Sequence, residues 1–218
     1  MAPTRAQQTL ATRRRMVRAA YRLFCREGYL GTTMNAIAEA AGVAVQTLYY
    51  TFHTKAALLA EALGAAIVGF DRWHEPPQGP IDIVEFLPWH GWWADFQAAP
   101  SSAEALDVFV LHGAGILERV GPLVTAMHGA AGDPDAEAVV RVGEERRVEA
   151  YREVVRVVAR KPPGLRRGVS ELAATDILVV LFSAELYQAL ATGRGWSRPR
   201  CTRFLREILA TQLLGRPS

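Results

Sequence analysis

Gln46, Thr47, Tyr49 and Tyr50 crowd four hydrogen-bonding side chains into five positions, flanked by His53 and Lys55. Within the same stretch Leu48 and Phe52 lie four apart, the spacing that puts two apolar side chains on one helical face. That face must turn inward with Val43, which leaves the polar side chains for something outside. The elements needed to hold them can be read upstream. Thr33 suits a helix N-cap, because its hydroxyl can accept from an orphan backbone N–H of the first turn. Ile37, Ala38 and Ala41 give the helix behind it an apolar stripe, and Gly42 stops it where a left-handed residue is wanted. Two short helices crossing through a glycine turn form a helix-turn-helix, an arrangement that places its second helix in the DNA major groove.

The order and spacing of Gly28-Tyr29, Thr32-Thr33, Ile37-Ala38, Ala41-Gly42-Val43, Thr47-Leu48-Tyr49, Phe52 and Thr54-Lys55 resemble the N-terminal domain of TetR-family transcriptional regulators. A first helix over roughly 10–27 matches too, with Ala19, Ala20, Leu23 and Phe24 inward. The close resemblance covers about residues 10–70, and the remainder is similar only as a run of helices. It implies an all-α protein: a three-helix helix-turn-helix DNA-binding domain over 10–70, then a helical ligand-binding and dimerisation domain over 71–218. It also implies a DNA-contact set of Thr33, Ala44, Val45, Gln46, Thr47, Tyr49, Tyr50, His53 and Lys55. Val45, Gln46 and Thr47 would read bases, since a glutamine can bond an adenine edge with two hydrogen bonds and a methyl can meet a thymine methyl. Tyr49 and Tyr50 suit phosphate and sugar contacts. Lys55 and Thr33 open helices whose N–H groups can converge on a phosphate. The sequence departs from the family pattern at Ala44, where serine is common, and at Thr51, where histidine is common. Each departure removes a possible polar contact to DNA.

Charge is distributed to match. The chain of 218 residues carries a formal charge of +3, yet its first 60 residues hold eight basic side chains (Arg5, Arg13, Arg14, Arg15, Arg18, Arg22, Arg26, Lys55) against Glu27 and Glu39. That segment is therefore basic and the rest slightly acidic, so only the first is expected to meet a polyanion. Half of the residues are hydrophobic, enough for a sizeable core. Cys25 and Cys201 stand far apart without metal spacing, which fits a reducing cytoplasm and no disulfide framework. No secretory h-region opens the chain, and the densest apolar run, 177–182, is far shorter than the ~20 residues that span a bilayer. A cytoplasmic protein without membrane contact is expected. Signatures of hydrolases, metalloproteases and nucleotide-binding loops are missing, the five histidines show no metal spacing, and neither enzyme activity, cofactor nor metal is expected.

Beyond residue 60 the periodicity is helical. Expected helices are a linker over 56–73 stopped by the Pro- and Gly-rich 75–80, then 82–97, 103–118, 120–130, 136–161, 172–191 and 200–214. Four of the five tryptophans fall between 73 and 93. Trp89, Trp92, Trp93 and Phe96 would form one broad face. Together with Trp73, Phe109, His112, Met127 and His128 they are the candidate ligand-binding residues. Such walls suit a flat, apolar or aromatic small molecule, with His112 or His128 giving an orienting hydrogen bond. For any single one of them, ordinary core is the competing reading. The helix 172–191, apolar nearly all round, must be covered on two sides. Paired with 136–161 it could make a four-helix contact in a homodimer.

The expectation is thus a ligand-responsive, sequence-specific regulator of transcription, a repressor released from double-stranded operator DNA by a small molecule. The alternative is a helical small-molecule-binding protein or enzyme with an incidental basic N-terminus.

Overall fold

A computed structural model describes residues 4–73, 83–128 and 132–214, and among them only helices are found. The fold is all-α. The chain divides into two compact units, one built from 1–79 with 122–142, the other from 80–121 with 143–218.

The first unit opens with α1 (Arg5–Gly31), entered through Thr4, whose hydroxyl accepts from the Gln7 N–H while Gln7 bonds back to Thr4. The reciprocal pair satisfies two donors that a helix start leaves orphaned. Gly28 breaks the helical geometry near its end, with φ 74°. α2 (Met34–Ala41) follows, capped by Thr33, and α3 (Val45–Phe52) after it. α4 (Lys55–Val68) is capped by Thr54, which accepts from the Ala57 N–H. The expected inward positions of α1, Ala19, Ala20, Leu23 and Phe24, are buried, as are Ile37, Leu48, Phe52, Leu58 and Leu59 of the helices that follow.

α4 is shorter than its apolar pattern suggests. The linker expected over 56–73 stops at Val68, because Gly69 turns to φ 104°, a conformation only glycine adopts without strain. The next residues fold back against α1. Arg14 Nε donates to the Trp73 carbonyl at 2.9 Å, Arg18 pairs with Asp71 at 2.6 Å, and the Phe70 ring lies under the Arg18 guanidinium and edge-on to Tyr21. The breaker at 75–80 lies outside the described residues.

The second unit contains α5 (Ile83–Phe86), a 3₁₀ turn (Leu87–Trp89) and α6 (Trp93–Ala98) where one helix over 82–97 was expected. Pro88 and Gly91 interrupt it: proline lacks the N–H that helix propagation needs, and glycine resists helix. α7 (Ser102–His128) carries straight through Pro122 and merges two expected helices. α8 (Pro134–Ala159) matches its expectation closely. Both α7 and α8 contribute residues to each unit. The apolar run 172–191 is two helices, α9 (Glu171–Leu181) and α10 (Ala184–Ala191), because Ser183 leaves the helix and caps the second one by accepting from the Leu186 N–H. α11 (Arg198–Leu213) completes the fold. By length and composition, windows within 102–127 and 171–191 are apolar enough to cross a membrane. The sequence expectation overlooked this. In the protein 44% of the first window is buried in the fold, and the second is interrupted at Phe182–Ser183.

Candidate nucleic-acid interface

The reading pair forms through the local signals already named. Thr33 accepts from the Ala36 N–H at 3.1 Å, and Gly42 adopts the left-handed conformation with φ 65° and ψ 43°, its N–H returning to the end of α2. Leu48 and Phe52 anchor α3 in the core. On the opposite side Gln46, Thr47, Tyr49 and Tyr50 are exposed, Tyr50 to 84% and Tyr49 to 49%. Tyr49 is therefore not part of the core. Thr33, Ala44 and His53 are exposed as well, and Val45 is half-buried. The candidate DNA contacts other than Lys55 and the half-buried Val45 are thus accessible.

Ala44 occupies the N-cap of α3 and gives no side-chain hydrogen bond, so the first turn of the reading helix lacks the cap a serine would supply. Thr51 donates its hydroxyl to the Thr47 carbonyl at 2.7 Å and spends its polar end within its own helix. From α3 the chain enters α4 through a γ-turn. His53 has φ 62° and ψ −48°, and the Thr54 N–H reaches the Phe52 carbonyl at 2.6 Å. A non-glycine residue there is strained. The strain sits where the angle between reading helix and α4 is set.

Lys55 has a second role that spacing alone concealed. Its ammonium donates to the carbonyls of Tyr29 at 2.9 Å and Thr32 at 3.1 Å, and it lies 4.1 Å from the centre of the Tyr29 ring. These carbonyls belong to the end of α1, where helix geometry leaves acceptors unpaired and a cation is favoured. Burial pushes the Lys55 ammonium down from its ordinary range, and the negative Asp133 pulls it back up. Lys55 thus closes the junction from which α2 starts.

The basic segment is also partly spent internally. Arg13 grips Glu61 with two hydrogen bonds, 2.8 Å and 2.6 Å, and Glu61 is only 5% exposed. Arg14 and Arg18 hold the chain after α4. Five of the seven arginines counted as facing a polyanion therefore pair within the unit: Arg13, Arg14 and Arg18 on the side of α1 that α4 and residues 70–73 cover, Arg15 on the Ala41 carbonyl at 3.4 Å, and Arg26 on its neighbour Glu27. A net-charge argument cannot see that side.

The candidate ligand residues separate into groups. Trp92, Trp93, Phe96, Phe109 and His112 come together in the second unit. The Trp92 ring lies 5.8 Å from both Trp93 and Phe96, 6.1 Å from Phe109, and stacks on His112 at 6.2 Å with 10° between planes. Trp89 is 45% exposed and is linked to the group through Phe86 and His90. One broad helical face was expected, but the break at Pro88–Gly91 turns Trp89 and Trp92 differently. Trp73 belongs to the first unit, where its indole N–H donates to Glu61 at 3.2 Å and its ring covers Gly64, leaving no room for a Cβ. Met127 is buried in the first unit too, and the side chain of His128 lies outside the described residues. Neither Trp73 nor Met127 is part of the cluster. Residues not proposed for it do belong: Tyr151 and Phe182 pack on Phe109 at 5.9 Å and 4.6 Å. Both read as plain apolar positions of long helices, and only the fold brings them beside Phe109. Burial pushes the Tyr151 hydroxyl up to about 12; it donates to the Phe182 carbonyl at 2.6 Å.

A capped helix, a left-handed glycine and a polar-faced second helix on a three-helix core define a helix-turn-helix DNA-binding regulator. Residues 16–62 match the family model described as bacterial regulatory proteins, tetR family. That match covers the helix-turn-helix segment of the chain. No curated protein matches it significantly. Among solved structures, NalD of Pseudomonas aeruginosa, the secondary repressor of the MexAB-OprM multidrug efflux pump, is similar with TM-score 0.65 and 19% identity, covering 93% of this chain and 97% of that one. A transcriptional regulator of Saccharomonospora viridis, solved in complex with choline, has TM-score 0.65 and 20% identity over 92% and 96% of the two chains. FadR of Bacillus subtilis, solved with stearoyl-CoA, has TM-score 0.63 and 11% identity over 93% and 98%. At such identities the likeness concerns the fold.

Proposed function

We propose that the chain is a dimeric repressor that binds a two-fold operator through α3 and releases it when an apolar or aromatic small molecule enters the second unit. The observation that carries this reading is the outward face of α3, where Gln46, Thr47, Tyr49 and Tyr50 stand exposed while Leu48 and Phe52 fix the helix below. Gln46 and Thr47, with the half-buried Val45, serve as base readers, and the tyrosines with Thr33 and His53 meet the backbone. Lys55 adds a phosphate contact only through whatever reach its two carbonyl bonds leave it. Ala44 brings the backbone close without a polar group of its own.

The Trp92 cluster is the effector region in this reading, with Trp93, Phe96, Phe109 and His112 around it and Trp89 at its edge. Aromatic walls with few polar groups suit such ligands. That NalD represses an efflux pump, and that related folds were solved with choline and stearoyl-CoA, supports an effector of small-molecule size. Dimerisation engages α9, whose Leu172 and Val180 are 68% and 66% exposed, an apolar face suited to a second copy. Ligand shifts the dimer between two arrangements, and operator DNA must weaken ligand binding by the same factor. The protein acts in the cytoplasm, where its operator lies.

Selection of binding sites from random duplex DNA, followed by footprinting, tests the reading. A palindrome whose half-sites lie about one helical turn apart, or a multiple of it, is expected. An asymmetric site bound by one copy would refute the dimeric repressor.

A further inference from the structure

One chain of contacts in the first unit goes beyond holding the reading pair in place. Tyr29 is buried to 1% exposure and packs against Phe24, yet its hydroxyl donates to Asp133 Oδ2 at 2.8 Å, a residue 104 positions away. The other carboxylate oxygen, Oδ1, accepts from the N–H groups of Asp135 and Ala136 at 3.1 Å each and so caps α8. The Tyr29 ring carries the Lys55 ammonium on its face. That ammonium is bonded to the Tyr29 and Thr32 carbonyls, immediately before the Thr33 cap of α2. A single side chain, Tyr29, thus touches the start of α8 with its tip and the start of α4 with its ring. Its backbone is tied to the entry of α2.

We infer that Tyr29 and Asp133 form a latch through which the N-terminal turn of α8 sets the position of the reading pair, with the latched state the one that binds operator. The inference rests on the reading of the chain as an operator-binding regulator. α8 continues from residue 143 into the second unit, so a change that withdraws its first turn pulls Asp133 from Tyr29. The Lys55 clamp then loses the ring it rests on. Tyr29 and Asp133 are positioning residues here, not DNA contacts. Coupling of this kind needs an element that both ends bias, and the latch is such an element because its hydrogen bond is either made or lost.

The test uses the full chain and the duplex its wild type selects. Tyr29→Phe removes only the hydroxyl and keeps the ring under Lys55. Asp133→Ser keeps an acceptor for the α8 cap but is too short to reach Tyr29, and Asp133→Asn keeps both reach and cap. Tyr29→Phe and Asp133→Ser should each weaken operator binding about five- to tenfold, the worth of one hydrogen bond, and the double variant should be no weaker than either single. Binding to a random duplex should be unchanged, and Asp133→Asn should restore most of the loss. Hydrogen exchange on the DNA-free proteins reads the latch independently: Tyr29→Phe should speed exchange in both 134–140 and 45–52. Faster exchange confined to 134–140, or losses that add in the double variant, would overturn the proposal. A wild type that selects no sequence would refute the operator reading instead, while the exchange data still decide the latch. Should Tyr29→Phe fail to fold, Asp133→Ser decides in the same two assays.

Discussion

Replacing Arg13 by Met tests the buried ionic contact that fixes α1 to α4. Glu61 has a side chain only 4% exposed and accepts three hydrogen bonds, two from Arg13 and one from the Trp73 indole. The Arg13 side chain is 27% exposed, so the two ends of the pair differ in access to water. Removing Arg13 strands a buried carboxylate with one neutral donor, and breaking such a pair from one side costs ~3–5 kcal/mol. Removing Glu61 instead, as Glu61→Met, strands a guanidinium that water can reach. The loss should be smaller, ~1–3 kcal/mol for an unsatisfied group of this kind. The double variant, with two apolar side chains of similar volume, should recover much of the difference. Urea denaturation followed by helical circular dichroism gives all four stabilities. Heating should show the Arg13→Met transition lowered by about 6–20 °C at ~2–4 °C per kcal/mol for a chain of this size. Near-equal losses for the two single variants, or a double variant as unstable as their sum, would refute the reasoning, because burial would then not govern the cost.

Gln46→Ala should relax preference at one base pair per half-site, costing ~1–3 kcal/mol there and leaving stability alone; site selection with the variant checks it, and an unaltered preference removes Gln46 from the base readers. Ala44→Ser supplies the missing cap of α3 and should raise stability by ~1 kcal/mol in urea denaturation. Cys25 sits where burial pushes its thiol from 9.0 to about 11, so alkylation at pH 8 should run on the order of a hundredfold slower in the native protein than in urea. Because the folded value is the higher one, this group's contribution to stability is complete below about pH 9 and is lost as pH rises towards 11.

What the sequence determined by itself was local. The Thr33 cap, the Gly42 turn and the Leu48/Phe52 anchor act within a few residues of themselves, so the reading pair and its outward face were legible before any fold was known. Helix interiors were legible for the same reason, since a 3.6-residue period needs no partner. Their ends were less so. Gly69 and Ser183 end helices inside continuous apolar runs, while Pro122 fails to end one, because a cap or a kink competes with packing that sequence does not display. Tertiary structure alone decided what the long side chains do. Arg13, Arg14 and Arg18 resemble any other basic residue of α1 until α4 and residues 70–73 cover them, and Trp73 joins Glu61 rather than the other tryptophans. Lys55 turns to carbonyls 23 and 26 residues behind it, and Tyr29 finds Asp133 at 104. Charge and hydrogen-bonding capacity are properties of a residue, but a partner is a property of place. Only the folded chain brings distant residues within the roughly 3 Å at which a hydrogen bond forms.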